Sequence, residues 1–329
     1  MLYRGGTLLA VKGLYVSFRP IQLQMIEIEL RRGLLGSIRL RTLIEFIKVN
    51  DFRILLYDSQ GNEFTIERGC KLRIRSPMIL YRVCGGDAHA VVVRKGDYMD
   101  IRLDRLHCLR KAVNGLFCNQ HRYSEYAKYL HTVFQEPRSE PAISLAKLPH
   151  MIYLLHFGGN LVKVGITNIV KNIRRLAEQP FINAVILAIV PSLLEARRIE
   201  IALSRLSPVT DRLRIDERLR RLRDHASSLN AEIQELAQVL ISVVQPKLRS
   251  LGIDVDLRKP IPVLSLDEDT RRVYSAFPAV TKASLSSIEG VGEVLDFVPG
   301  ALLLSIDGKS LLVPYQYLRD HALNIEILT

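Results

Sequence analysis

The 329-residue chain has no tryptophan, four cysteines and 7% aromatic residues, and each shortage excludes something. Four thiols, at Cys70, Cys84, Cys108 and Cys118, are too few for a secreted disulfide scaffold of this length. A Cys70–Cys84 pair is the alternative that a thermophile's cytosol permits. The scarcity of aromatics argues against a platform on which single-stranded bases stack. No apolar segment approaches the ~20 residues that span a bilayer, and the run Leu8-Leu9-Ala10-Val11 between Arg4 and Lys12 makes no targeting signal. The expectation is a cytoplasmic protein without a membrane partner. A phosphate-cradling Gly-Lys-Ser/Thr loop, a dinucleotide fingerprint, a nucleophile elbow, internal repeats and low-complexity tracts are also missing.

What remains is apolar and basic. A hydrophobic fraction of 48% and a mean hydropathy of +0.12 allow more than one core, and the length suggests two or three domains. The 46 Lys plus Arg exceed the 34 Asp plus Glu, for a formal net charge of +12, which suits a polyanionic partner such as DNA or RNA. Arginines crowd residues 205–223, at Arg212, Arg214, Arg218, Arg220, Arg221 and Arg223, yet Asp216 with Arg220 and Glu217 with Arg221 are also the i,i+4 pairs of a solvated helix face.

The reading along the chain is α+β, with a central β-β-α-β-α domain between two β-rich modules. Residues 1–105 alternate strand-like runs, among them Gln22 to Leu30, Arg53 to Tyr57, Lys71 to Ile74 and Ala90 to Arg94, with Ser37 to Val49 set apart as an exception. Residues 106–150 hold a candidate metal knuckle, a Tyr-rich helix from Ser124 to Phe134 and a polar linker from Gln135 to Pro141. The central domain and a helical extension occupy 151–255. Leu219, Leu222, Ala226, Leu229, Ile233, Leu236 and Leu240 make the extension's apolar stripe, for its own domain or a partner helix. After Pro260-Ile261-Pro262, residues 256–329 are β-rich again, with strands at Val294 to Phe297, Ala301 to Ile306 and Leu311 to Pro314.

In the knuckle, His107-Cys108 precedes Cys118-Asn119-Gln120-His121, with Asn114-Gly115 as a turn between the halves. Cys118 and His121 are three apart, a separation that lets both ligate one ion. With His107 and Cys108 they form a mixed nitrogen and sulfur set for a tetrahedral Zn²⁺, filled by protein ligands and therefore structural. The bland alternative is a pair of buried thiols beside surface histidines.

The densest chemistry lies between Met151 and Asp211. An apolar run from Ile152 to Phe157, the turn Gly158-Gly159-Asn160 and a return from Leu161 to Ile166 predict a hairpin. Thr167-Asn168 caps a helix bearing Lys171, Arg174 and Arg175 that ends at Pro180. Asn183 to Val190 predicts a buried strand, and Pro191-Ser192 opens a second helix through Leu206. On that helix Glu195 and Glu200 stand roughly 140° apart, so they cannot share one cleft. Glu200, beside the apolar stripe of Ala196, Ile199 and Leu203, is the inward carboxylate. His156, at the end of the first strand, is a candidate base.

With Met-Ile-Tyr at 151–153, Lys-Val-Gly-Ile-Thr at 163–167, an arginine on the first helix and a glutamate on the second, this segment resembles the GIY-YIG endonuclease superfamily. Together with Arg175-Leu176-Ala177-Glu178-Gln179 and Glu195-Ala196, it resembles more closely a prokaryotic family catalogued as domain of unknown function 2797. The nuclease resemblance covers about a fifth of the chain by its short motifs. It implies that Tyr153 is the first motif tyrosine, Gly165 the motif glycine, Arg175 (Arg174 less well) the phosphate-steadying arginine and Glu200 the ligand of Mg²⁺ or Mn²⁺. The second motif tyrosine falls on Lys163, which acts as a base only if burial or a cation lowers its pKa. Ile166 and Pro208-Val209-Thr210-Asp211 also depart from active members.

Two functions are therefore expected: a metal-dependent phosphodiesterase using Glu200, Arg175 and Tyr153, Lys163 or His156, or a nucleic-acid-binding protein that kept the fold without turnover. An adaptor using the 211–244 helix is the weaker third.

Overall fold

The computed structural model describes residues 9–31, 37–95, 98–113, 115–135, 139, 143–159, 161–170, 175–176, 178–225, 232–250, 263–265 and 268–328. The calls on Asn114, most of the 135–141 linker, Asn160, Lys171, Arg174, Ala226, Leu229 and Pro260 to Pro262 lie outside the described residues.

The amino-terminal part forms β1 (Leu9–Arg31), β2 (Ser37–Tyr57), β3 (Glu63–Ile66), β4 (Lys71–Arg82), β5 (Asp87–Lys95) and β6 (Tyr98–Leu106). Ser37 to Val49 is not an exception: it is strand, paired antiparallel with β1 from Ser37 opposite Arg31 to Val49 opposite Phe18. Isoleucine, leucine and phenylalanine recur through this segment and suit a pleated ladder. Helix α1 (Glu125–Phe134) follows, capped by the Ser124 hydroxyl, which accepts from the Ala127 amide at 3.1 Å.

The central unit is built as the hydrophobic pattern requires. β7 (His150–His156), β8 (Val162–Asn168), β9 (Asn183–Val190), the two-residue β10 (Val209–Thr210) and β11 (Val263–Ser265) make a five-stranded sheet in the order β10-β8-β7-β9-β11. β7, at its centre, is buried along its whole length. Its residues divide by parity. Ile152 and Leu154 pack under α2 (Leu193–Ser204) and α4 (Glu232–Ser250), whereas Met151, Tyr153, Leu155 and Phe157 face a core shared with α3 (Ile215–His225). Helix α2 begins where Pro191-Ser192 predicts, with the Ser192 hydroxyl accepting from the Glu195 amide at 3.5 Å.

The carboxy-terminal part holds α5 (Glu268–Ala276), β12 (Gly290–Val298), β13 (Ala301–Ile306), β14 (Lys309–Pro314), α6 (Tyr315–Leu318) and β15 (His321–Leu328). Here the expected domain organisation needs correction. The two β-rich stretches are not separate modules but interleave in one eight-stranded sheet, β14-β13-β12-β4-β15-β1-β2-β3. β4 lies between β12 and β15, with Leu72 opposite both Gly292 and Ile327. The apolar side chains Ile54, Leu72, Ile74, Leu302 and Leu304 of this sheet join the same core as Tyr153 and Ile186. The Tyr153 face of the central sheet therefore looks into the molecule.

The helical stripe beyond residue 211 is divided between two helices: Leu219 and Leu222 on α3 enter the Tyr153 core, and Ala237, Leu240 and Ile241 on α4 enter the α2 core. Among the described residues no helix is long and apolar enough to cross a membrane.

Candidate functional site

The cross-strand register sets Tyr153 directly opposite Gly165, and Leu155 opposite Lys163. A Cβ at Gly165 would lie 2.6 Å from the Tyr153 ring and hydroxyl, so the glycine makes room for the tyrosine that crosses it. Gly165→Ala is expected to cost about 1–3 kcal/mol by overpacking, read as a lower denaturant midpoint with an unchanged m-value.

Gln179, just before Pro180, organises this face. Its Nε2 donates to the Tyr153 hydroxyl at 2.9 Å and to the Arg175 carbonyl at 3.2 Å. Its Oε1 accepts from Lys163 Nζ at 3.4 Å and from an Arg218 guanidinium nitrogen at 3.3 Å. Arg175 is bonded to Glu178 at 2.7 Å, and Arg319 holds the same carboxylate at 2.7 Å from the carboxy-terminal part. Glu200 is 6% exposed and paired with Arg197, itself 8% exposed. Tyr153, Lys163, Arg175 and Glu200 thus lie in one electrostatically linked group, with Asp211 at its border.

Burial dominates the protonation chemistry. Lys163 is pulled down from the usual lysine value to about 7, by burial first and then by the cations Arg218 and Arg175, against the pull of Glu200 and Asp211. Burial pushes the Glu200 carboxyl up, and the Arg197 guanidinium opposes that rise. Burial also raises the Tyr153 phenol.

His156 requires correction as a candidate base. It pairs with Val162 on the ladder and shares the parity of Ile152 and Leu154, which puts it on the α2 side of the sheet, opposite Tyr153 and Lys163. Its Nε2 donates to the Gly159 carbonyl at 2.7 Å. The sequence gives Gln179 no role beyond its place in the motif, and Arg218, counted there with the arginines that suit a polyanion, is instead buried on Gln179. The adjacency of Gln179 to Glu178 and Pro180 at the helix end was the available signal, and Arg218 was hidden among its neighbouring arginines.

A second cluster is drawn from residues that precede α1 in the chain. Cys84, Cys108, Cys118 and His121 place one ligand atom each within 4.8 Å of all the others, which is a set able to hold a metal ion such as zinc. All three sulfurs are buried, and none is in a disulfide. The fourth ligand is therefore Cys84 and not His107. His107 is exposed and lies against Tyr57, with ring centroids 5.0 Å apart and the rings tilted by 30°, while its neighbour Cys108 turns inward. Cys70, only partly buried, stands apart with its sulfur accepting from the Glu67 amide at 3.3 Å. Burial pushes the Cys84 thiol up to about 11. Cys118 is drawn down to about 6: burial opposes the change, but amide donors including His121 and Gln120 outweigh it.

Residues 125–313 match the family described as "Protein of unknown function (DUF2797)". No curated protein and no solved structure matches the chain.

Proposed function

The chain belongs to the DUF2797 family, which takes in more than half its length, and from its own residues we propose that it is a nucleic-acid-binding protein on a GIY-YIG-like core whose catalytic face has been closed. The observation that carries the closure is the mutual satisfaction of the motif residues. Glu200 is occupied by Arg197, Tyr153 by Gln179 and Arg175 by Glu178. A carboxylate that is 6% exposed and tied through one oxygen to a guanidinium is a poor hold for Mg²⁺ or Mn²⁺, which must compete with that ion pair. The order β7-β8, a helical pair at Arg175-Leu176, β9, α2 is consistent with the superfamily's β-β-α-β-α arrangement.

The binding half of the proposal rests on charge. Net charge is +12, and Arg212, Arg214, Arg220 and Arg223, before and along α3, have side chains 84%, 89%, 56% and 53% exposed. Three of these meet their acids only at the outer limit: Arg212–Asp211 at 4.0 Å, Arg214–Asp216 at 3.8 Å and Arg223–Asp224 at 3.8 Å. Such exposed pairs are worth about 0–1 kcal/mol, so a phosphate displaces them readily. Cysteines without disulfides suit the cytoplasm, where this reading places the protein.

One observation favours the second reading, a metal-dependent phosphodiesterase: Lys163 at the second-tyrosine position has the lowered pKa, about 7, that a base there requires. The two readings separate in one experiment, in which labelled single- and double-stranded DNA and RNA are mixed with the protein across a salt series, with and without Mg²⁺ or Mn²⁺. The expected result is binding that weakens steeply with salt and no cutting, the slope falling by about 1 for each of Arg212→Ala, Arg214→Ala and Arg223→Ala that removes a phosphate contact. Cutting that disappears in Glu200→Gln would establish the phosphodiesterase instead, and absence of binding to all four probes would sink the nucleic-acid reading.

A further inference from the structure

Cys84, Cys108, Cys118 and His121 come from three separate segments. Cys84 follows β4, Cys108 follows β6, and Cys118 with His121 sit in the turns that lead to α1. Their atoms are spaced as an ion would require. For tetrahedral zinc with sulfur at about 2.3 Å and nitrogen at about 2.0–2.1 Å, the sulfur–sulfur edge is about 3.8 Å and the sulfur–nitrogen edge about 3.6 Å. Cys108 Sγ lies 4.0 Å from Cys118 Sγ, and His121 Nδ1 lies 3.5 Å from both Cys84 Sγ and Cys118 Sγ. A disulfide would use two of these sulfurs and leave the third thiol and the imidazole converging on nothing.

Both knuckles are shaped by the local sequence. In Cys84-Gly85-Gly86, Gly86 has φ +73° and donates its amide to Cys84 Sγ at 3.4 Å, and a side chain there would run into the Leu106 carbonyl. In Cys118-Asn119-Gln120-His121, the His121 and Arg122 amides fold back on the Cys118 carbonyl at 3.1 and 3.0 Å and bring the ring over its own cysteine. Amide donation to a ligating sulfur is the outer support that tetrahedral thiolate sites use.

We propose that these four residues bind one structural Zn²⁺ that fastens the amino-terminal part of the chain to the family domain. Three thiolates and an imidazole are a soft set that selects zinc over the hard Mg²⁺ or Ca²⁺, and four protein ligands leave no position for a reacting water. All four ligands lie before residue 125, where the family match begins. The site therefore adds to the family domain a separate attachment, distinct from the Glu200 face and independent of whether nucleic acid binds. Its mechanical consequence concerns the ribbon of β5 and β6. Among the described residues these strands hydrogen-bond as a two-stranded ribbon, from Asp87 opposite Leu106 to Lys95 opposite Tyr98, which depends on packing against α1 for its stability. Cys84 and Cys108 stand at its two ends, so the ion closes its base. Phe117, Tyr126, Tyr129 and Leu145 pack around the same thiols. Tyr129 then reaches the central sheet, donating to His150 Nε2 at 3.0 Å and accepting from Asn168 at 3.5 Å.

The test is the metal content of the full chain, purified without chelator and read by elemental mass spectrometry. One zinc per chain is expected, falling to near zero in Cys108→Ser and in His121→Ala, and unchanged in His107→Ala and Cys70→Ser. Because a ligand variant can fail by misfolding, the parent is also stripped with a strong chelator and followed by hydrogen exchange. Protection is expected to fall in residues 84–122 while β7 and β9 keep theirs, and added Zn²⁺ restores it. Iron in place of zinc, no metal at all, zinc retained in both ligand variants, zinc lost from His107→Ala, or exchange unmoved by stripping would each overturn the proposal.

Discussion

Replacing Glu200 with alanine is expected to destabilise the protein by about 3–5 kcal/mol, because it leaves the Arg197 guanidinium buried without its partner. Arg197 and Glu200 side chains are 10% and 8% exposed, so solvent neither screens the pair nor rescues the survivor. The arrangement is local: i and i+3 on α2 bring the two together at the edge of the buried stripe of Ala196, Ile199 and Leu203. Arg197 Nε also donates to the Gln135 carbonyl at 3.3 Å, which does not neutralise a charge. Denaturant unfolding reads the effect, and the double variant Arg197→Met with Glu200→Leu is expected to recover most of the loss, since a buried pair replaced by apolar side chains of similar volume is often neutral or better. The same measurement bears on catalysis. If Glu200 were instead a ligand waiting for Mg²⁺, its removal would relieve an unpaired buried charge and raise stability, and Mg²⁺ would raise the melting temperature of the parent but not of the variant.

The central unit was legible because its signals are local and strong. The strand Asn183 to Val190, the cap at Ser192 and the separation of Glu195 from Glu200 follow from hydrophobic period and helix geometry alone. The interleaving of the amino- and carboxy-terminal strands was not legible, because a strand's pattern states which face is apolar and says nothing of which strand lies beside it. β4 looks the same to a pattern reader whether β12 and β15 flank it or not. The metal cluster was half legible for the same reason. Cys118 and His121 announce themselves by spacing, but Cys84 is brought in from beyond the whole β5–β6 ribbon, and His107 was favoured only because it adjoins Cys108. His156 misled by proximity: one residue along a strand from Leu155 means the opposite face of the sheet. The place of Gln179 in the motif and at the helix end is visible in the sequence, but its role is not, since that lies in four partners from β7, β8, α3 and its own turn.

Lys163→Met is expected to stabilise the protein at and below neutral pH, and the gain is expected to vanish in strong alkali. Lys163 is 8% exposed and faces Arg218 and Arg175 as well as Glu200 and Asp211. Its pKa is about 7 in the folded chain, against 10.5 as the ordinary value. The sign follows from proton binding. Between those two values the unfolded lysine holds a proton that the folded one has released, so folding is penalised by an amount that is largest below about pH 7 and shrinks as pH rises to the unfolded value. At about 1.36 kcal/mol per pH unit the penalty is at most roughly 5 kcal/mol, and the shared charges of the cluster make the realised figure smaller. Methionine keeps the length of the stem, removes the proton and leaves Gln179 Oε1 with its Arg218 donor. Unfolding free energies of parent and variant, measured in parallel from pH 6 to pH 11, are expected to differ most at the acid end and to converge above about pH 10. Because every other titrating group is common to both proteins, the difference isolates Lys163. A constant difference across the range would place Lys163 in water with an ordinary pKa and remove the support it gives to base catalysis. Convergence would make it a neutral amine at mild alkaline pH, the protonation state in which it accepts a proton if the face beside Tyr153 ever opens.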